Sequence, residues 1–438
     1  MMNTHLAARW LAVCFLAAVT PTIADDRGSA KSVTEWNEQL LEIAEAEDGF
    51  LTLKGVRTAA MMHIAMHDAL AAIERRYSPY TYDHPAPDAD PVAATAQAAY
   101  TVAADQYPDK RPELESLRDT WLSRAPEGKA RAAGITLGEA AARAILADRE
   151  DDAWNGEAEY QWHPMAPGVY AEFREHSGTP EGFVFGAGWA AARPFALTSQ
   201  DQFRSPPPPD IASRQYAEAF NEVKDVGRSE SNSRTADQTH LALWWKDFAE
   251  KSHNRLARDL VARERTGLAD AARLFALLNV GIYDAYVSVF DNKFFYNHWR
   301  PYTAIRWAAN DGNADTQPDE TWTNLHNHTY AFPTYPSAHG TACAAAMSAI
   351  ADTFGDDYGF SMHAPAVDVA GPFSGKMKMQ PARREFSSAP DAAMECALSR
   401  VYLGIHFRYD SIEGNRLGTL IGQYVRDNFL TPQRSVAE

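Results

Sequence analysis

The sequence predicts an all-α protein made of two related helical bundles. Apolar residues recur three and four positions apart from Glu35 to about Asp151, and again from Arg234 to Phe290, which is the spacing of one helix face. Alternating strand patterns are scarce. An internal similarity between the two halves of the chain supplies the third observation.

The similarity pairs the segment Arg57–Ala69 with the segment Arg273–Ala285. In both segments an arginine and an aspartate stand 11 positions apart. Eleven residues at 100° each return to nearly the same helix face, so we expect Arg57–Asp68 and Arg273–Asp284 to meet as ion pairs. A shorter match follows downstream, where Gly134–Gly138 resembles Gly414–Gly418. The chain is therefore interpreted as two bundles, with extra material in the second.

Composition divides the chain into four parts: a leader, an N-terminal helical bundle, an irregular connector rich in Pro, Gly and Trp, and a C-terminal helical bundle. These parts are residues 1–24, 25–151, 152–232 and 233–438. Residues 25–35 are polar and predicted to be loose. Further helices are expected at Ser213–Val223, 338–354 and 403–429, with irregular segments at 309–335 and 355–389.

The first 24 residues have the layout of a secretory signal peptide. His5 and Arg9 precede the apolar run Trp10–Val19, and a short segment ending at Ala24 follows. A ten-residue run is too short to cross a bilayer comfortably, and no other apolar run reaches about 18 residues. We expect cleavage near Ala24, a secreted or periplasmic protein, and no membrane span.

The charge balance argues against a nucleic-acid partner. Among 438 residues, 41 are Lys or Arg and 58 are Asp or Glu, so the formal net charge is −17. General binding to nucleic acid needs a basic face that displaces counterions from phosphates.

Two histidines in the first bundle have the spacing of a metal-binding pair on a helix. His63 and His67 are four apart with Asp68 adjacent, but position 64 is Ile, so the glutamate of the HExxH motif is missing. Packed or hydrogen-bonded core histidines are the favoured interpretation.

Three segments of the second half carry residue types suited to chemistry. Lys293 and Arg300 are seven apart, two helical turns, so both can point the same way. Ser337 and His339 open a predicted helix, whose backbone N–H groups form an anion cradle. His406 and Asp410 are four apart, so on a helix the carboxylate can orient one ring nitrogen and leave the other facing outward. Arg400 is expected on the turn leading into that helix.

Each segment alone also fits a structural role: solvated cations, a helix cap, or a structural hydrogen bond. Together they provide three cations, a hydroxyl, a helix start and two histidines. This set suits a tetrahedral oxyanion with a charge near −2, because prepositioned donors on the oxygens are the main device of phosphoryl-transfer catalysis.

The order and internal spacing of these segments resemble the superfamily that joins vanadium-dependent haloperoxidases to type 2 phosphatidic acid phosphatases and bacterial class A acid phosphatases. The matching residues are the motifs Lys293–Pro301, Pro336–His339 and Ser399–Asp410. Other segments are similar to bacterial secreted haloperoxidase-like proteins, so the resemblance covers most of the chain. These are Arg193–Phe203, Pro206–Pro209, Ser233–Gln238 and Ala59–Ala69.

The resemblance implies a vanadate cofactor and a role for each residue. Lys293, Arg300 and Arg400 would hold the equatorial oxygens, with hydrogen bonds from Ser337 and from the backbone N–H of Ala338. His406 would be the axial metal ligand, oriented by Asp410, and His339 the acid–base group. The family usually has Gly where this chain has Ala338, which costs nothing if that residue begins a helix.

Two reactions fit the same site. A haloperoxidase would oxidise halide with hydrogen peroxide to hypohalous acid, which halogenates a small organic acceptor. A phosphatase would attack a phosphomonoester through a phosphohistidine at His406, with His339 as acid and base. The chain is longer than the class A phosphatases and lacks the spans of the lipid phosphatases. Phe332 resembles the chloroperoxidase form of the motif, and these features favour the peroxidase.

Several points stay open at the level of sequence. A non-catalytic oxyanion-binding protein would need the cations but not the two histidines. Related enzymes often dimerise, so a homo-oligomer remains open. Cys343 and Cys396 either pair in an oxidising compartment or are two small buried hydrophobes; each is four residues from a residue expected at the same anion, which would bring them close.

Overall fold

The computed structural model describes residues 26–171, 184–363 and 379–433, and within these ranges the chain is all-α, as predicted. The predicted leader lies outside the described residues. The α-helices are α1 (Asp26–Asp48), α2 (Lys54–Glu74), α3 (Pro91–Gln106), α4 (Arg111–Leu122), α5 (Lys129–Asp148), α6 (Arg214–Val226), α7 (Ala236–Trp244), α8 (Ala249–Glu264), α9 (Leu268–Tyr296), α10 (Pro301–Trp307), α11 (Ala338–Phe354), α12 (Ala389–Tyr402) and α13 (Arg408–Asn428). The strands β1 (Phe360–His363) and β2 (Arg383–Phe386) form an antiparallel pair in which Phe360 lies opposite Phe386. Short 3₁₀ turns occur at Pro108–Lys110, Ala187–Ala191 and Ala308–Asn310.

The two bundles share one internal design, in which α2, α3 and α5 correspond to α9, α11 and α13. The best marker is the packing of the third helix of each set on the second. A Cβ at Gly138 would lie 2.2 Å from the carbonyl oxygen of Ala94, and one at Gly418 would lie 2.1 Å from that of Thr341. Both glycines therefore permit a backbone approach that no other residue allows. The glycine pair noticed in the sequence is a repeated helix–helix contact.

The backbone before α3 and α11 is held in the same way in both copies. The N–H of Asp90 donates to the carbonyl of Ala130 at 2.9 Å, and the N–H of Ser337 donates to that of Asp410 at 3.0 Å. Asp90 and Ser337 each cap the helix that follows. The second copy thus places its polar residues on a frame that the first copy also possesses.

The expected ion pairs within α2 and α9 are wrong. Eleven residues share a helix face but lie three turns, about 16 Å, apart along the axis. Each aspartate instead accepts hydrogen bonds from three consecutive backbone N–H groups of a loop: Asp68 from residues 80–82 and Asp284 from residues 195–197. Burial raises the pKa of both carboxyls to about 6, against the opposing effect of these bonds.

The arginines bind the chain that leaves the third helix of their own bundle. Arg57 donates to the carbonyl of Arg149, just beyond α5, and to the carboxylate of Asp152 at 2.7 Å. Arg273 donates to the carbonyl of Leu430, just beyond α13, at 2.8 Å. The two arginines thus make equivalent contacts, which supports the two-bundle interpretation, although neither binds the aspartate predicted as its partner.

His63 and His67 are buried and hydrogen-bonded inside the first bundle. The Nε2 atom of His63 lies 3.0 Å from the side-chain amide of Asn37, and that of His67 lies 3.1 Å from the carbonyl of Ser78. Burial lowers the pKa of His63 to about 3 and that of His67 to about 4, so both rings are neutral.

Helix α9 is the central element of the molecule. It packs against α2, α11 and α13, and its buried residues belong to one hydrophobic core shared by both bundles. By length and composition α9 is the one helix among the described residues that could cross a membrane, but 89% of its most apolar stretch is buried inside the protein. This is the pattern of a core helix.

Three element boundaries differ from expectation. Residues 26–35 are helical, as the start of α1, and not loose. The last predicted helix begins at Arg408 and not at 403. Helix α12 carries Arg400 in its last turn, so this arginine is helical and does not lie on the turn that follows.

Cys343 of α11 and Cys396 of α12 form a disulfide. The pairing choice left open by the sequence is thereby resolved in favour of the bond. It joins the two helices that carry His339 and Arg400.

Removal of this bond should destabilise the protein. The closed loop has a sequence separation of 53 residues, for which the chain-entropy treatment gives about 4 kcal/mol. We expect the C343A/C396A double variant to lose roughly that amount in urea unfolding compared with the oxidised wild type. Two free thiols in the air-oxidised wild type, measured by intact mass after alkylation, would contradict the assignment.

Candidate active site

His406 and Asp410 meet at the start of α13, but not as two residues of one helix. His406 lies two residues before the helix begins, and Asp410 is its third residue. The carboxylate of Asp410 accepts the backbone N–H of Phe407 at 2.9 Å and lies 3.1 Å from the Nδ1 atom of His406. The predicted contact exists because the aspartate caps the helix and thereby reaches back to the histidine.

Thr334 completes this group and was missed by the sequence analysis. Its hydroxyl donates to Asp410 at 2.6 Å, and its oxygen lies 2.9 Å from the Nδ1 atom of His406. No periodicity distinguishes this threonine; its one signal is its position three residues before Ser337. All three side chains are buried.

The hydrogen bonds assign the tautomer of His406. A guanidinium nitrogen of Arg300 (Nη1) lies 3.3 Å from the Nε2 atom of the ring, and an arginine can only donate. Nε2 therefore carries the lone pair, and Nδ1 carries the proton toward Asp410 and Thr334. Burial lowers the pKa of His406 well below its usual value, and the nearby cations lower it further, so the ring is neutral.

The three predicted cations are all buried and are held by backbone carbonyls. Lys293 donates to Pro333 and Thr334 at 2.9 and 2.7 Å. Arg300 donates to the carbonyls of Phe332 and Ile405 at 2.8 and 3.0 Å, and Arg400 donates to the carbonyl of Trp245 at 3.0 Å.

The sequence spacing suggested that Lys293 and Arg300 lie on one helix, but in the structure they do not. Helix α9 ends at Tyr296, Asn297 adopts a left-handed conformation (φ 47°), and Arg300 lies on extended backbone before α10. The two cations nevertheless contact the same loop, because Lys293 and Arg300 bind carbonyls of residues 332–334. Convergence comes from the loop and not from helical spacing.

Burial makes this group of charges unfavourable without a counter-ion. Desolvation lowers the pKa of Lys293 well below its usual range and that of Arg300 to about 10, and it also lowers that of Arg400. Asp410 contributes one negative charge, and its own pKa is raised to about 7 by burial. Three cations and one carboxylate would be neutralised by a ligand carrying two negative charges.

The start of α11 brings Ser337, Ala338 and His339 to the same place. Ser337 is the N-cap, and its hydroxyl oxygen accepts the N–H of Gly340 at 3.2 Å, which leaves the hydroxyl proton for another acceptor. Ala338 is the first residue of the helix and has no positive φ. Alanine therefore costs nothing at this position, as expected.

His339 faces the cavity in front of these groups. Burial lowers the pKa of its ring well below the usual value, and Arg400 and His253 lower it further, so the ring is neutral. One of its ring nitrogens and the sulfurs of Cys343 and Cys396 lie within 4.8 Å of one another, so the disulfide lies against the ring.

Several polar atoms of this cluster are left without a protein partner. Within the described part of the chain, no hydrogen-bond partner is found for Arg300 Nη2, Arg400 Nε or His339 Nε2. Buried donors without a partner are rare in folded proteins and call for an explanation. Two free cationic donors beside a ring lone pair form a donor set that suits a tetrahedral oxyanion, so the residues fit vanadate or phosphate.

A cavity of about 270 Å³ opens onto the cluster. Ala338, His339, Arg400 and His406 line it directly. Lys293, Arg300 and Ser337 do not line it; the ring of Phe332 lies over the two cations, 5.1 Å from Lys293 Nζ and 4.6 Å from Arg300 Cζ. The predicted site residues thus lie at one place: four of them line the cavity, and the others lie behind this lining.

Comparison with known proteins assigns this arrangement to a family. Residues 273–433, which contain every predicted site residue, match the family model of the VCPO second helical-bundle domain. Vanadium chloroperoxidase of Curvularia inaequalis is 24% identical over 458 aligned positions, covering 81% of this chain and 74% of that protein.

Solved structures share the fold over nearly the whole chain. A bacterial vanadium-dependent iodoperoxidase superimposes with a TM-score of 0.74 at 22% identity, covering 93% of this chain and 98% of the other. The holo form of a bacterial vanadium-dependent chloroperoxidase gives a TM-score of 0.62 at 16% identity, covering 93% and 95%. The chain is thus similar to vanadium-dependent haloperoxidases over most of its length, and its residues 273–433 match the VCPO second helical-bundle domain.

Proposed function

We propose that this protein is a haloperoxidase that binds vanadate and oxidises halide with hydrogen peroxide to hypohalous acid. The observation that supports it most is the convergence of three buried cations and two histidines with lowered pKa values at one place, with Arg400 and both histidines lining the cavity there. An anion site alone would need the cations but neither histidine.

The residues that would hold vanadate are those of the cluster. Lys293, Arg300 and Arg400 would neutralise its oxygens, Ser337 and the N–H of Ala338 would donate to them, and Nε2 of His406 would coordinate it. When bound, vanadate supplies a Lewis acid that activates the O–O bond of peroxide. Asp410 and Thr334 would keep the proton of His406 on Nδ1, so that the lone pair on Nε2 stays available.

His339 would move the proton. Its neutral ring faces the cavity and takes a proton from hydrogen peroxide, then returns it to the oxygen that leaves as water. The sum is halide plus hydrogen peroxide plus one proton giving hypohalous acid plus water. Because burial, and after it Arg400, keeps the pKa of the ring well below its usual value, His339 is in the accepting form at neutral pH.

A phosphatase is the second candidate, because the same donors suit phosphate. The lone pair of His406 Nε2, oriented by Asp410, is the nucleophile that a phosphohistidine mechanism needs. Vanadate separates the two functions, since it resembles the transition state of phosphoryl transfer and would inhibit a phosphatase.

We also propose that the protein works outside the cytoplasm, after removal of the predicted signal peptide near Ala24. The disulfide between Cys343 and Cys396 supports this, because such bonds persist in oxidising compartments.

The decisive assay compares both reactions in one preparation. Protein stripped of metal is titrated with orthovanadate, and two rates are followed: bromination of monochlorodimedone with peroxide, and hydrolysis of p-nitrophenyl phosphate. We expect vanadate to switch on bromination and to suppress any hydrolysis. Inhibition without halide oxidation would overturn the haloperoxidase proposal, and H339A should lose bromination while still binding vanadate.

Lys293→Met tests the charge balance of the site. Methionine keeps much of the apolar stem but removes one of the three cations, and a charged hydrogen bond contributes about 1.5–3 kcal/mol. We expect the dissociation constant for vanadate, measured by equilibrium dialysis, to rise about ten- to hundredfold. Lys224→Met, which removes a surface lysine bound to the carbonyl of Gln317, is the matched control and should bind normally.

Thr334→Val tests the residue that the sequence analysis missed. Valine keeps the shape but removes the hydroxyl between His406 and Asp410, and loss of such a supporting group typically costs 10- to 100-fold in metal affinity or activity. We expect a weaker vanadate complex by about tenfold in the same dialysis experiment. Thr353→Val, whose hydroxyl bonds only within α11, should match the wild type. Equal affinities for both variants would rule out this role of Thr334.

A further inference from the structure

The cavity continues from the two histidines into a chamber walled by aromatic rings. Eight Phe, Tyr and Trp rings line it: Phe50, Phe185, Trp189, Phe248, Tyr286, Phe290, Tyr330 and Phe332. All of these except Phe50 and Phe248 form a connected set, in which the Trp189 ring centroid lies 4.7 Å from that of Phe290 and 5.0 Å from that of Phe185. Phe332, which covers the cations, is 5.2 Å from Phe290, so the aromatic wall begins at the oxyanion cluster itself.

The chamber is larger than a halide and a peroxide require. Its volume is about 270 Å³, whereas a water molecule occupies about 30 Å³ in the liquid. Pockets for drug-sized ligands span about 300–1,000 Å³, so this one suits a molecule of one or two rings.

A buried carboxylate lies in the same wall. Glu250, near the start of α8, is 2% exposed and lines the cavity. Its Oε2 atom accepts the hydroxyl of Tyr286 at 2.7 Å. Burial raises the pKa of Glu250 to about 7. Neither the oxyanion site nor the proton path described above uses this residue.

The N-terminal bundle forms part of the chamber wall. Phe50, in a left-handed conformation (φ 58°), and Val56 of α2 line it, and Leu51 beside them is 62% exposed. The first bundle lacks the oxyanion cluster but supplies part of the wall that a second ligand would contact.

We propose that this chamber binds the organic acceptor, a phenol of one or two rings. The ring of the phenol lies among the aromatic side chains, and its hydroxyl donates a hydrogen bond to the carboxylate of Glu250. The inference rests on the proposed function for its chemistry but not for the binding itself. Halogenation then takes place inside the protein, and not by reaction of released hypohalous acid with an acceptor in bulk water.

The step balances with the product of the first reaction. The phenol ring attacks the halogen of hypohalous acid, forming a carbon–halogen bond and breaking the halogen–oxygen bond. The hydroxide so released combines with the proton lost from the ring carbon to give water. The hydrogen bond from the phenol hydroxyl to the carboxylate of Glu250 increases electron density in the ring and favours the attack.

Binding is tested without vanadate, halide or peroxide. 2-Naphthol is titrated into vanadate-free protein by isothermal calorimetry, beside 2-methoxynaphthalene, which has the same rings but cannot donate. We expect one site per chain for 2-naphthol and at least tenfold weaker binding of the methyl ether. Equal binding of both, or no binding of either, would overturn the proposal.

Two variants localise the site. Glu250→Gln keeps the shape but loses the charge, and we expect at least tenfold weaker binding of 2-naphthol, because hydrogen bonds to charged groups are the stronger ones. Val56→Phe fills the chamber from α2 and should abolish binding even if the first variant proves unstable. Glu222→Gln alters a carboxylate that lines a different cavity and should bind normally. Unchanged binding in both chamber variants would place the ligand elsewhere.

A product measurement separates this inference from the proposed function. Phenol is brominated with the vanadate-loaded protein, and the ratio of ortho to para products is compared with that from reagent hypobromous acid. A different ratio supports reaction in the chamber, and an identical ratio contradicts it. Binding of 2-naphthol without any halide oxidation would support the ligand site and contradict the proposed haloperoxidase function.

Discussion

The structure of the candidate site depends on one electrostatic constraint: three cations are buried beside the carboxylate of Asp410. Lys293, Arg300 and Arg400 are held by backbone carbonyls, which satisfy some of their donors but supply no negative charge. Two of their donors, Arg300 Nη2 and Arg400 Nε, have no protein partner among the described residues. A dianionic ligand would complete both the hydrogen bonds and the charge balance, which explains why this much charge is kept in the interior.

The duplicated frame explains how such a cluster is positioned. Ser337 in the second bundle corresponds to Asp90 in the first, and Asp410 corresponds to Ala130, because the equivalent backbone hydrogen bonds join them. By the same register His339 corresponds to Val92. The helix packing is common to both copies, whereas His339 and Asp410 are present only in the second. The glycine contacts thus fix the helix packing in both bundles. The positions at which the second bundle differs from the first carry the candidate site.

The sequence predicted the fold class and the set of interacting residues better than the local geometry. Helical spacing identified the long helices, and the residue types around 293–300, 337–339 and 400–410 predicted an oxyanion site. The geometry failed where non-helical backbone decides. Lys293 and Arg300 converge through a shared loop, His406 precedes its helix, and Asp68 and Asp284 bind loop N–H groups that no periodicity reveals. Thr334 and Glu250 were missed because contacts between distant segments leave no pattern in the sequence near either residue.

The central claim is that one doubly negative oxyanion completes this charge cluster. A crystal structure of the protein soaked in orthovanadate, with anomalous data collected at the vanadium edge, tests it most directly. The account predicts a single strong peak beside Nε2 of His406, within reach of Arg300 Nη2 and Arg400 Nε. A peak elsewhere, or none at saturating vanadate, would contradict it.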